Sequence, residues 1–203
     1  MVKIKELENI ADILRRDSLE ATSSAGSGHP TSCMSCAEIM SVLFFNEMKF
    51  DVKNAENPDN DEFILSKGHA APILYSALFR AKALDHSPNS LRKIKSPLEG
   101  HPIPSEHVPF VKAATGSLGQ GLSVGVGMAL AGKLQKRNFK VYVLLGDSEC
   151  AEGEVYEAFE LGARYKLDNL VAILDVNRLG QRGETMLGHD INAYKKRFEG
   201  FGW

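Results

Sequence analysis

Two short apolar runs limit this chain more than anything else in it: Val141-Tyr142-Val143-Leu144-Leu145-Gly146 and Leu170-Val171-Ala172-Ile173-Leu174-Asp175-Val176. Runs of this length read as strands buried on both faces, and a helical stretch over 153–166 lies between them. Strand, helix, strand in that order returns the chain parallel to itself through a right-handed crossover, so the expected class is α/β, a parallel sheet flanked by helices. Each run hands over to a polar residue, Asp147 after the first and Asn177 after the second. Open α/β sheets bind ligands beyond the carboxyl ends of their strands. Magnesium prefers six oxygens, and a few protein oxygens leave places for phosphate and water. A magnesium-diphosphate site is therefore expected at these strand ends. The competing reading is an ordinary pair of loop caps, since any doubly wound sheet has polar residues after its strands.

The rest of the pattern extends this frame. Leu7, Ile10, Ala11, Leu14, Ser18 and Ala21 fall at helical spacing, with Glu6, Arg15, Arg16 and Glu20 for the wet side, and 24–28 ends that helix. A second, mostly apolar helix is expected over 37–45, a loop over 51–61, a buried strand over 63–66 and a helix over 72–83. Residues 87–109 are rich in Pro, Ser and His and read as a long connecting segment that carries function. A glycine-rich helix follows over 117–133, in which Gly121, Gly125, Ala129 and Gly132 form a small-residue face for close approach of another helix. Strand 140–145, helix 153–166, strand 170–174, a loop to Leu187 and a helix over 190–198 complete the chain.

At 203 residues with 43% hydrophobic content, the chain has enough apolar mass for one sizeable core. A net charge of −2 from interspersed signs, with no long basic run, argues against a nucleic-acid or anionic-membrane partner. Residues 1–8 mix acids and bases with no signal-like apolar core, and no segment is long and apolar enough to span a bilayer, so a cytoplasmic protein is the expectation. Three cysteines do not make a disulfide scaffold. Cys33-Met34-Ser35-Cys36 has redox spacing, but without a second Cys or His pair it reads as two buried helix residues. The glycines around Gly119-Gln120-Gly121 precede a strand by a whole helix, which excludes a dinucleotide fingerprint.

Gly146-Asp147-Ser148-Glu149 followed by Asp175-Val176-Asn177 is similar to the thiamine diphosphate fingerprint. Three further segments strengthen that likeness: Ala25-Gly26-Ser27-Gly28-His29-Pro30-Thr31-Ser32, Leu65-Ser66-Lys67-Gly68-His69-Ala70-Ala71-Pro72 and Ala114-Thr115-Gly116-Ser117-Leu118-Gly119-Gln120-Gly121. Together, from about Ile10 to Trp203, they resemble the amino-terminal part of transketolases of the animal type. The resemblance implies a thiamine diphosphate-binding fold, with residues 1–203 as one diphosphate-binding domain that stops before its last strands and lacks the pyrimidine-binding and C-terminal domains.

It also implies roles. Asp147, the Asn177 side chain and the Leu179 carbonyl bind Mg2+, Ca2+ or another divalent cation. Gly116, Ser117, Leu118, Ser148, Asn177 and His69 meet the cofactor diphosphate, with Ser32 and Gln181 beside the thiamine. His29 and His101 hold the ketose oxygens, and Glu152 reaches toward the catalytic glutamate of a second subunit; a first-turn acid stabilised by the helix dipole is the competing reading of Glu152. Ser148 stands where glycine is usual, and its Cβ is excluded there if φ is positive. His86, His107 and His189 match no such context and read as solvated loop residues. The implied activity is transfer of a two-carbon ketol unit between sugar phosphates, by a homodimer of the full-length form or with a separate chain carrying the missing domains, and this chain alone is expected to be inactive. A non-catalytic truncated paralogue, and another thiamine diphosphate enzyme such as dihydroxyacetone synthase or deoxyxylulose phosphate synthase, are the alternatives.

Overall fold

A computed structural model describes residues 2–203. Helix α1 (Ile4–Ala25) buries Ala11, Leu14, Ser18 and Ala21 as the spacing predicts, and ends on Gly26 at φ 59°, a left-handed conformation that glycine adopts without strain. The same face buries Asp17. Its carboxylate takes Arg80 Nε and Nη2 at 2.7 and 2.8 Å and Ser76 Oγ at 2.8 Å, which ties α1 to helix α4 (Ala71–Arg80). Between them run α2 (Pro30–Ser35), α3 (Ala37–Val42), a π-helical turn over Leu43–Glu47 and strand β1 (Glu62–Leu65). Cys33 and Cys36 are fully buried and unbonded, and burial pushes their thiols up to about 11 and about 12, so neither is a ready thiolate.

Helix α5 (Gln120–Leu134), β2 (Val141–Gly146), α6 (Gly153–Arg164) and β3 (Leu170–Asp175) follow. The sheet order is β1-β2-β3 and both pairings are parallel, with Glu62 opposite Val141 and Val141 opposite Leu170. Side chains alternate across it as the two-residue period requires. Phe63, Leu65, Tyr142 and Leu144 face a core made with α1, α3 and α4, whereas Ile64, Val141, Val143 and Leu145 face a core made with α5 and α6. Burial on both faces is why these strands read as continuous apolar runs. The connecting segment 87–109 has little regular structure, but Leu91, Leu98 and Val108 anchor it in the first core.

Two expectations are corrected. The glycine face of α5 closes on the sheet, not on another helix: a Cβ on Gly125 would stand 2.5 Å from Val143 Cγ2, and one on Gly121 would stand 2.5 Å from Ser66 Cβ. The loop expected up to Leu187 contains a small antiparallel hairpin, β4 (Leu179–Gly180) with β5 (Gly183–Glu184). Helix α7 (Ile191–Gly200) then lays Phe198 against Phe159 of α6, with ring centres 4.8 Å apart.

Candidate active site

The carboxyl ends of β1, β2 and β3 open into one cavity of about 480 Å³. β1 delivers Lys67 and His69, β2 delivers Asp147 and Ser148, and β3 leads to Asn177, Leu179 and Gln181. Two further segments complete the wall: His29 at the N-cap of α2 with Ser32 inside that helix, and His101, Gly116 and Leu118 ahead of α5. Chain segments far apart in sequence thus meet because parallel strands all end on the same side.

Asp147 is buried at the tip of β2. Its Oδ1 accepts Ser148 N–H at 3.0 Å, and its Oδ2 accepts Arg178 N–H at 2.7 Å and Thr185 Oγ1 at 3.1 Å. These donors are neutral. The buried carboxylates Asp17 and Asp175 each bind a basic side chain, whereas Asp61, Glu149 and Asp147 have neutral donors only, and of these three Asp147 alone lines the cavity. A buried charge of this kind, open to a cavity, is where a cation would be accommodated. Asn177 Oδ1 accepts Leu179 N–H at 2.9 Å on the same side. No group of three His, Cys, Asp or Glu side chains suited to a metal occurs among the described residues; the oxygens on offer at this wall are those of Asp147, Asn177 and the Leu179 backbone. Three oxygens of that kind suit a hard divalent cation that keeps other positions for phosphate and water. Ser148 has φ −66°, so its Cβ is accommodated without strain.

The imidazoles form the opposite wall. His29 and His69 meet edge to face with ring centres 5.2 Å apart, and His69 Nε2 lies 2.8 Å from Ser32 Oγ. Burial, then the positive neighbours Lys67, His29 and His101, lower His69 to about 4, so at neutral pH it is an uncharged imidazole able to donate one hydrogen bond. His101 is also lowered, chiefly by burial. Its ring fills the place where a Cβ on Gly116 would stand, 2.8 Å from Cδ2, and Gly116 has φ 136°; both facts call for glycine.

Eleven of the thirteen residues singled out from sequence line this cavity; Ser117 and Glu152 do not. Ser117 is exposed on the loop ahead of α5, and Glu152 is exposed at the N-cap of α6 with no capping hydrogen bond. His107 and His189 are exposed, while His86 is half-buried with its ring 6.0 Å from that of His107.

Three buried charged residues with no assigned role prove central, Glu149, Lys67 and Asp175. Glu149, fully buried, accepts Ser66 Oγ, Gly119 N–H and Gly146 N–H at 2.5, 2.8 and 3.0 Å, which clamps the three loops together. Burial raises its pKa and these donors oppose the rise. Lys67, also fully buried, bonds Asp175 Oδ2 at 2.5 Å and the Ser32 carbonyl at 2.9 Å, and Ser35 Oγ donates to the same Asp175 oxygen at 2.5 Å. The only signal for this set was position: a lysine just after a strand, and acids inside or beside apolar runs.

Comparison with known proteins gives concordant matches. The family described as transketolase, thiamine diphosphate binding domain, matches residues 7–203. A transketolase of Pongo abelii is 54% identical over 99% of this chain, which covers 32% of that relative. The crystal structure of transketolase from Campylobacter jejuni superposes with a TM-score of 0.89 at 34% identity, over 99% of this chain and 33% of the other. A Pichia stipitis transketolase in complex with sedoheptulose-7-phosphate superposes with a TM-score of 0.82 at 30% identity, over 97% of this chain and 30% of the other. The chain thus spans about a third of the length of the curated relatives it matches.

Proposed function

This chain belongs to the transketolase family, matching its thiamine diphosphate-binding domain, and on that premise we propose that it forms the diphosphate-binding part of a transketolase that moves a two-carbon ketol unit from a ketose phosphate to an aldose phosphate. The observation that carries this reading is Asp147, a buried carboxylate with neutral donors only, facing a cavity that gathers Asn177, Leu179, His69 and Gly116. Asp147, Asn177 Oδ1 and the Leu179 carbonyl would hold Mg2+, or Ca2+ in its place. Gly116, Ser117, Leu118, Ser148 and His69 would meet the diphosphate, and Ser32 and Gln181 the thiamine side. Bound thiamine diphosphate supplies a nucleophilic carbon and an electron sink.

The chain's own residues bind, orient and keep protons in place. Neutral His69 donates a hydrogen bond without adding charge, and Ser32 at 2.8 Å fixes its ring. His29 and His101, on the open side, hold ketose oxygens; the sedoheptulose-7-phosphate complex of the Pichia stipitis relative supports a sugar phosphate as substrate. Glu152, exposed and clear of the cavity, would reach toward a second subunit of a homodimer. The group that activates the aminopyrimidine belongs, in this reading, to a pyrimidine-binding domain outside these 203 residues. No helix among the described residues is long and apolar enough to cross a membrane, and we place the activity in the cytoplasm.

Titration calorimetry of the 203-residue chain with thiamine diphosphate, with and without Mg2+, tests this. Binding that needs Mg2+ and disappears in Asp147→Ala is expected. Metal-independent binding, or full binding by the variant, overturns the cation assignment, and no binding at all overturns the cofactor reading. The chain given xylulose 5-phosphate and ribose 5-phosphate forms no seven-carbon product; if it does, the activating group is not in a separate domain.

A further inference from the structure

We propose that Asp175, held by Lys67, is a positioning residue that makes Asn177 present its amide oxygen to the divalent cation. This rests on the cation reading of the cavity and goes beyond it, because it assigns work to Asp175, which does not line the cavity, and to its partner Lys67, to which that reading gives no role. A side-chain amide has an acceptor at one end and two donors at the other, and only the oxygen end suits a hard cation. Which end faces which way is decided by the surrounding hydrogen bonds.

At one end of Asn177, Nδ2 donates to Ser35 Oγ at 3.2 Å and to Asp175 Oδ2 at 3.3 Å. Both partners are acceptors there. Asp175 is a carboxylate whose charge Lys67 balances at 2.5 Å, and the Ser35 hydroxyl hydrogen is already directed to Asp175 Oδ2, also at 2.5 Å, which leaves only the Ser35 lone pairs for Asn177. At the other end, Oδ1 accepts Leu179 N–H at 2.9 Å. Turning the amide over would set its oxygen against Asp175 Oδ2 and its NH2 against the Leu179 N–H, two repulsive contacts, and would leave Ser35 to choose between the amide oxygen and Asp175 for its one hydrogen. The amide is locked oxygen-outward. Lys67 adds a second link, since its ammonium also bonds the Ser32 carbonyl at 2.9 Å and Ser32 Oγ meets His69, so the pair joins the two walls of the cavity. Outer-shell partners of this kind commonly set metal affinity by about 10- to 100-fold.

The experiment uses the full chain with thiamine diphosphate and Mn2+ as the probe, with bound ion read by electron paramagnetic resonance and folding by circular dichroism. Lys67→Met with Asp175→Leu removes the oxygen that all three donors share together with the charge that balances it, and Mn2+ binding is expected to weaken about 10- to 100-fold. Adding Asn177→Asp, which has oxygen at both ends and has no orientation to lose, is expected to raise affinity more in that background than Asn177→Asp alone raises it in the wild type; a merely structural role for Asp175 predicts the same gain from the added charge in both. If that paired variant does not fold, Asp175→Asn, which keeps one oxygen for the three donors but loses the charge that holds them, must show the same loss and rescue in smaller measure. Wild-type affinity in the folded position-175 variant, or a gain from Asn177→Asp no larger in that background than in the wild type, overturns the positioning. A wild-type chain that binds no Mn2+ with the cofactor overturns the cation reading itself, and the proposal with it.

Discussion

Single residues decide whether this cavity tolerates its own sequence, and Ser148 is the first case. The backbone there is right-handed, so a side chain in place of the family's usual glycine leaves the N–H where the turn puts it, bonded to Asp147 Oδ1. Glu62 is the contrasting case, a residue that carries a cost. It starts β1, and burial pushes its carboxyl up to about 7, with Lys112 opposing and Glu56 and Asp61 reinforcing. A carboxyl raised in the folded state resists ionisation there, so its contribution to stability is complete below its ordinary value of 4.5 and is lost as pH rises through about 7. Glu62→Gln is therefore expected to melt above the wild type at about pH 8 and to show no such advantage at about pH 4. Thermal melts of both proteins across that range check it, and a pH-independent difference would mean that Glu62 titrates alike in the folded and unfolded chain.

At the level of elements, α5 shows how small residues position a site. Gly125 lets the helix press on β2, where a Cβ would meet Val143 Cγ2 at 2.5 Å, whereas a Cβ on Gly127 would meet nothing within 4 Å. Gly125→Ala should then cost about 1–3 kcal/mol by overpacking. Gly127→Ala, in the same helix, should stabilise by about 0.5–1 kcal/mol, because alanine loses less freedom in a helix than glycine. Urea denaturation separates them, and equal effects would deny that sheet contact is the reason for Gly125. The elements themselves were largely legible, since sheet strands buried on both faces and α1 with its stripe announce themselves by period. Legible too were the glycine and histidine turns at strand ends. What stayed hidden depends on distance: Lys67 and Asp175 are 108 residues apart, Ser66 and Glu149 are 83 apart, and no periodicity links such partners. The partner of the α5 face was misread for a related reason, because a small-residue stripe says that something comes close without saying whether it is helix or sheet. The β4–β5 hairpin was missed because two-residue strands carry no alternation.

The whole molecule has one asymmetry that bears on the site. β1 and β2 are almost wholly buried, whereas β3, at the other edge of the sheet, has Val171, Ala172, Ile173 and Leu174 only half-buried and no strand pairing its outer side among the described residues. An apolar strand with an open edge is a template for another strand, and none of the usual devices against pairing, a lysine, a proline or a bulge, lies within Leu170–Asp175. The 203-residue chain is thus expected to self-associate as its concentration rises, with sedimentation velocity showing species heavier than the monomer and hydrogen exchange slowing at the β3 amides in step. Because β3 ends on Asp175 and runs directly into Asn177, ordering its edge also steadies the amide of the proposed cation site, so Mg2+-dependent cofactor affinity should be higher in the associated state. A monomer at every concentration, or association that leaves β3 exchange unchanged, would show that this edge is protected in some other way and that the cation half of the cavity is already as rigid in the single chain as it becomes in company.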